Sequence, residues 1–226
     1  MRSGSPQHLS DGNPEKFDGG GLLLPSEIVD RGAMDFSALF GNDQPVEVEI
    51  GSGKGTFLLA RASARPEVNF LGIEWARAYA LYCADRFRRA GLTNVRVLRT
   101  DAVPFVSQCI PDGSLARLHI YFPDPWPKRR HHLRRSIQLP FLNTIRRKLR
   151  VGGQLLIVTD HLGYFQHIER ALSAARGWAS TGFPQMSDES GQVVGTNFER
   201  KYIAQGRSVY KAARLKLSDY PGRAIF

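Results

Sequence analysis

Apolar positions along the chain gather into short continuous runs separated by amphipathic stretches. Val46–Ile50, Asn69–Trp75, Val95–Arg99, Leu115–Phe122 and Gln154–Thr159 predict strands, each short, largely apolar and bounded by turn residues. Between them Thr56–Ala64, Ala76–Ala90, Ala102–Cys109, Ser136–Arg150 and Leu162–Arg176 predict helices. Gly91 suits the residue just past a helix, and Gly152-Gly153 are expected to close the fourth one. Strands alternating with helices at this spacing predict an α/β fold, with a mostly parallel sheet covered on both faces. Right-handed crossovers make that sheet doubly wound.

The flanks are less regular. Residues 1–21 are polar and rich in Gly and Ser, and are expected to form a flexible tail ahead of one domain spanning 22–226. Leu22–Pro25 is apolar enough to clip that end onto the core, and Ser26 and Asp35 are candidate helix N-caps. Thr181–Gly195 is loop-rich, Thr196-Asn197-Phe198-Glu199 opens a basic helical or irregular stretch, and Ser208–Leu217 predicts a last, antiparallel strand.

In doubly wound sheets, ligands bind beyond the carboxyl ends of the strands. Glu49, Glu74, Asp101, Asp124 and Asp160 each fall at or just past the end of a different predicted strand. Any one of them could be a cap or a solvated loop acid. All five in phase predict an acidic edge.

Charge and composition narrow the partners. The net charge of +10 favours a polyanion. Cys83 and Cys109 are far apart with no Cys-x-x-Cys pair, so neither a disulfide framework nor a zinc ribbon is expected, and a reducing cytosol suits the chain. No metal site is expected, because His131 and His132 lack further spaced ligands. No apolar run reaches the roughly 20 residues of a membrane span. His119, inside a predicted strand, is expected to be a packed core residue.

Gly51-Ser52-Gly53-Lys54-Gly55 is a tight turn that lets backbone approach a ligand. It is not the dinucleotide fingerprint, whose third glycine comes one residue later, and Lys54 belongs to no Walker pattern. Glu49 just before the turn would repel a pyrophosphate but attract a cation. Glu74 is placed to bind both hydroxyls of a ribose, and Asp101-Ala102 to receive an adenine amino group. This pattern suits S-adenosylmethionine, with its ammonium and sulfonium, better than a nicotinamide cofactor.

Tyr121-Phe122-Pro123-Asp124-Pro125-Trp126-Pro127 ends the fourth strand in a stiff loop, since each proline fixes φ and removes a donor. The loop carries one carboxylate and one large ring. Trp126 could stack on a base or pack as a lid against Pro125. From Lys128 to Arg150 the chain holds many cations, Arg129, Arg134 and Arg135 among them, and no acid. That composition predicts a phosphate track.

Taken in order, Glu49-Ile50-Gly51-Ser52-Gly53-Lys54-Gly55, Gly72-Ile73-Glu74, Asp101-Ala102, Phe122-Pro123-Asp124-Pro125-Trp126-Pro127-Lys128 and Thr196-Asn197-Phe198-Glu199 resemble the bacterial tRNA (guanine-N7)-methyltransferases. The likeness runs from about Leu22 to the C-terminus. The chain departs at Pro127, where some members have His. The resemblance implies a seven-stranded Rossmann-like methyltransferase sheet with an antiparallel edge hairpin. It implies methyl transfer from S-adenosylmethionine to N7 of the variable-loop guanine, position 46, of tRNA. Glu49, Gly51, Gly53, Glu74, Asp101 and Asp124 would then contact the donor, with Asp124 the catalytic acid. Lys128, Arg130, Arg134, Arg135, Asp160, Thr196, Asn197, Phe198 and Glu199 would hold the tRNA. A cytoplasmic monomer without a membrane partner is expected.

Two other readings stay open on the residues alone. A methylase of exocyclic amines uses a related acidic, proline-rich loop. A non-catalytic RNA-binding module could retain the fold.

Overall fold

The computed structural model describes residues 17–187 and 191–218. In chain order its elements are β1 (Leu23–Leu24), α1 (Phe36–Phe40), β2 (Val46–Ile50), α2 (Thr56–Ala64), β3 (Asn69–Glu74), α3 (Arg77–Arg89), β4 (Val95–Arg99) and α4 (Ala102–Gln108). There follow β5 (Leu115–Tyr121), α5 (Leu139–Lys148), β6 (Leu149–Thr159), α6 (Leu162–Ala174), β7 (Trp178–Ser180), α7 (Asn197–Ala204) and β8 (Tyr210–Lys216). Strand order is β1-β4-β3-β2-β5-β6-β8-β7. Neighbours from β1 through β6 pair in parallel, while β8 runs antiparallel to both β6 and β7.

The sheet therefore has eight strands among the described residues, not seven. The added one is Leu23–Leu24, which pairs with Val97 and Leu98, so the expected apolar clip is an edge strand. β7 and β8 pair as expected at the antiparallel edge, but a long segment containing α7 joins them instead of a tight turn.

Two apolar layers sandwich the sheet. Val48, Leu118 and Ile157 face α4, α5 and α6 through Val106, Leu142 and Ile168. Phe70, Val97 and Leu156 belong to the layer built with α2 and α3 through Phe57 and Phe87. Burying both faces is what makes these strands continuous apolar runs in sequence.

Three boundaries differ from expectation. Of the expected tail, residues 1–16 lie outside the described residues, but Phe17 stacks edge-on against Tyr82 at 5.4 Å and Arg88 Nε pairs with Asp18 at 3.5 Å. Packing therefore begins before Leu22. Helix α5 spans only Leu139–Lys148, and Gly152-Gly153 do not close it. They lie within β6, where the pairing with β5 shifts register between Leu115 and Arg117. A Cβ on Gly153 would sit 2.8 Å from the Arg150 carbonyl oxygen, so this bulge needs glycine. Ser26 caps nothing with its side chain, whereas Asp35 accepts the Ala38 N–H at 3.0 Å. Among the described residues no helix is long and apolar enough to cross a membrane.

Candidate active site

Because β2 through β6 run parallel, their carboxyl ends share one edge of the sheet. Glu49, Glu74, Asp101, Asp124 and Asp160 stand along that edge in the phase expected from sequence. The chain order turns outward in both directions from the β2/β5 boundary, so the topological switch point lies there.

The glycine turn is fixed at this point. Gly51 and Ser52 donate their backbone N–H groups to the Ile73 carbonyl at 2.8 and 3.2 Å. Gly53 N–H donates to Glu74 Oε2 and Ala76 N–H to Glu74 Oε1, both at 2.8 Å. One carboxylate thus ties the turn after β2 to the end of β3. A Cβ on Gly55, at φ +67°, would lie 2.7 Å from Phe87 Cζ, so α3 packs hard beneath the turn. Gly51 and Gly53 have positive φ, and a Cβ on either would meet nothing within 4 Å. Bare backbone is presented there to whatever binds.

Two depressions flank the turn. The larger, about 310 Å³, is lined by Glu49, Ser52, Tyr121 and Phe122 from the sheet edge and by Phe198 and Lys201 from α7. The second is lined by Gly51, Glu74, Trp75, Thr100 and Asp101. Glu49 is only 3% exposed, and its Oε2, like Ser52 Oγ, is buried with no hydrogen-bond partner. Burial and the nearby Glu74 carboxylate push the Glu49 pKa well above the usual range. Buried carboxylates of this kind call for a charged partner. Asp101 Oδ1 caps α4 through the Val103 N–H at 3.1 Å and remains exposed. Trp75, 70% exposed, stands beside Glu74.

The proline-rich loop is rigid and unusual. Phe122 and Trp126, the residues preceding Pro123 and Pro127, adopt φ of 51° and 42°. Left-handed backbone at bulky residues is costly and persists only where packing over-determines it. Phe122 donates its N–H to the Val158 carbonyl at 2.7 Å, and its ring meets those of Phe198 and Tyr202. Trp126 lies under the Arg134 guanidinium at 5.1 Å and edge-on to His131 at 5.8 Å. Its ring is part-exposed, with these two basic side chains against it. Asp124 is exposed at the crest of the loop and lines neither depression.

Several expected substrate residues make contacts within the scaffold. Arg135 is 5% exposed; its Nε donates to the Pro125 carbonyl at 2.8 Å, and its guanidinium covers the Tyr164 ring at 4.8 Å. Its charge points inward, not toward a phosphate. Glu199 is fully buried and accepts the N–H groups of Val193, Val194 and Gly195 at 2.6–2.9 Å. Its own N–H donates to Thr196 Oγ1 at 3.0 Å, which starts α7. Asp160 is paired with Arg207 at 2.6 Å. Thr196, Asn197 and Phe198 do line the larger depression. Lys128, Arg129, Arg130 and Arg134 are exposed.

The basic run is not one track. Arg146 and Lys148 are buried at the far end of α5, where Lys148 pairs with Asp112 at 2.7 Å and Arg146 donates to the Ser218 carbonyl at 3.1 Å. Only the 3-10 turn Arg129–Arg134 and its approach present cations near the acidic edge.

Sequence reading missed Lys54 as a cavity residue, along with Tyr79, Tyr121 and Lys201. Tyr121 adjoins the conspicuous loop and could have been found. Tyr79 and Lys201 sit on helices whose faces only the fold relates.

Comparisons with known proteins bear on the fold and the family. A family profile described as putative methyltransferase matches residues 43–212. The tRNA (guanine-N(7)-)-methyltransferase of Rhodopirellula baltica is 40% identical over 87% of this chain and 74% of its own length. Its counterpart in Pseudomonas aeruginosa is 36% identical over 93% and 85%. That of Aeromonas hydrophila is 45% identical over 66% of this chain, a match spanning 62% of that relative. Among solved structures, the 16S rRNA methyltransferase KamB superposes with a TM-score of 0.62 at 14% identity, covering 82% of this chain and 95% of that one. An S-adenosylmethionine-dependent methyltransferase from Aquifex aeolicus gives 0.53 at 15%, covering 91% and 100%. At such identities these two share the fold. The matched profile and the relatives matched over most of their length together place the chain in the tRNA (guanine-N(7)-)-methyltransferase family.

Proposed function

We propose that this chain methylates N7 of the variable-loop guanine of tRNA, position 46, with S-adenosylmethionine as donor. One observation carries the reading: a buried carboxylate at the switch point, its Oε2 without a hydrogen-bond partner, beside bare glycine backbone. The residues fit the donor. Glu49 would hold its ammonium, Glu74 keeps lone pairs free for the ribose hydroxyls, and Asp101 would take the adenine amino group. A pyrophosphate cofactor would face two carboxylates instead.

Bound there, S-adenosylmethionine supplies an electrophilic methyl group on a sulfonium. Guanine N7 offers a lone pair and carries no proton, so the protein need not supply a general base. Positioning and electrostatics are left as its contribution. Asp124, at the crest of a loop locked by Arg135, would accept hydrogen bonds from the Watson–Crick edge of guanine or offset the positive charge gained by the ring. Lys128, Arg130 and Arg134 would track the RNA backbone.

The test is incubation with labelled donor and unmodified tRNA transcript, followed by nuclease digestion and mass spectrometry. Label on N7 of the variable-loop guanine is expected. Label on an exocyclic amine, or no transfer, would overturn the reading.

A further inference from the structure

Beneath the larger depression lies a buried polar chain that the methyl-transfer reading leaves without a role. Glu47, His119 and Tyr121 lie on neighbouring strands β2 and β5 and belong to the face covered by α2. His119 Nε2 is 3.0 Å from Glu47 Oε2, and Nδ1 is 2.8 Å from the Tyr121 hydroxyl. Glu47 is 2%, His119 0% and Tyr121 6% exposed. Phe57 clamps both rings, 4.9 Å from each centroid. Register sets Glu49 opposite His119, and Tyr121 lines the depression with Glu49.

The protonation pattern follows from the surroundings. Burial raises the Glu47 pKa, but the hydrogen bond from His119 and the surrounding positive charge, Arg117 and Arg65 included, outweigh it and bring it down to about 2. Glu47 is therefore ionised. Burial depresses His119, which stays neutral. A neutral ring beside a carboxylate donates from Nε2, so Nδ1 accepts the tyrosine O–H. The hydrogen bonds point one way, from Tyr121 to His119 to Glu47, and such chains polarise cooperatively. Arg65 and Arg117 contact Glu47 at 3.1 and 3.2 Å from the outer, part-exposed end, where water screens them. Arg61 lies near the same cluster. At Tyr121, burial acts first and the Glu49 and Glu47 carboxylates next, ahead of Arg61 and Arg117.

A purely structural role would be filled at lower cost by apolar residues of similar volume. What the chain adds is electron density on a clamped aromatic ring in the cavity wall. Cations are attracted to such a ring.

We propose that Glu47, His119 and Tyr121 act as positioning residues that let the site bind the sulfonium donor in preference to the neutral thioether left after transfer. This rests on the donor assignment above. The ligand class is a sulfonium against its uncharged thioether, which differ by one charge and one methyl.

Calorimetry tests it with S-adenosylmethionine and S-adenosylhomocysteine titrated into the wild type, Tyr121→Phe, His119→Gln and His119→Leu. Tyr121→Phe keeps the ring and removes the hydroxyl. It should lower the donor-to-product affinity ratio on the order of fivefold, chiefly by weakening the donor. His119→Gln, which can donate and accept, should hold the ratio closer to wild type than His119→Leu does. Equal weakening of both ligands, or an unchanged ratio in Tyr121→Phe, overturns the proposal even where His119→Leu fails to fold. Wild-type protein that binds neither ligand would instead defeat the donor assignment, and this proposal with it.

Discussion

Arg135 Nε donates to the Pro125 carbonyl at 2.8 Å, fastening the loop that carries Asp124 to the ring of Tyr164 on α6. Its neighbour Arg134 is exposed above Trp126. Adjacent arginines therefore do different work. Arg134→Ala should reduce the salt dependence of tRNA binding by a slope of about 1. Arg135→Ala should leave the slope unchanged but lower stability by roughly 1–3 kcal/mol. Binding isotherms over a salt series, with thermal unfolding of each variant, separate the two.

Asp124 touches neither depression, so its removal should spare donor binding. Asp124→Ala is expected to lower turnover on the order of 10²-fold while the donor dissociation constant barely moves. Single-turnover kinetics beside calorimetry would reveal the split; loss in both together would assign Asp124 to the donor instead.

Glu49 has its pKa raised by burial and by Glu74, with the Tyr121 hydroxyl also near. Any stability from its neutral form is complete below 4.5 and disappears as pH rises through the raised value. A cationic donor needs the ionised form. Donor affinity should therefore climb as pH rises through the raised Glu49 value, for as long as the donor's own ammonium stays charged. Glu49→Gln should bind weakly with little pH dependence, and should gain thermal stability relative to wild type as pH increases. A flat wild-type profile would contradict this.

Glu47 titrates in the opposite sense. Its folded pKa is lowered, so its contribution is present above 4.5 and lost as pH falls toward about 2. His119, buried neutral, begins to favour unfolding already as pH drops below 6.5. Denaturant midpoints across pH should show two acid-side losses in the wild type, and Glu47→Gln should lack the lower one.

Glu199 binds three consecutive backbone N–H groups. Each hydrogen bond to a charged acceptor is worth about 1.5–3 kcal/mol, so Glu199→Ala should unfold at markedly lower denaturant. Donor affinity should fall with it, because Thr196, Asn197 and Phe198 form a wall of the cavity.

The strand pattern made the parallel core legible, down to the bounds of Val46–Ile50 and Val95–Arg99. Apolar runs buried on both faces leave little ambiguity. The row of acids was legible too, because chain position after a parallel strand fixes the edge. Side-chain direction was not. Arg135 and Arg134 are indistinguishable in a basic run, and only the fold turns one inward. Glu199 looked like a ligand residue because capping and binding use the same acidic chemistry. Gly152-Gly153 looked like a helix stop because a bulge and a C-cap both favour glycine.

The walls of the larger depression come from Glu49 and Lys201, far apart along the chain. A ribosome-bound nascent chain that has emerged only through β6 already holds the residues of the parallel strands and the glycine turn. It still lacks one side of its pocket. Methyl donor captured that early would be poorly enclosed, so acquisition of the ligand should come late in synthesis, after α7 has docked.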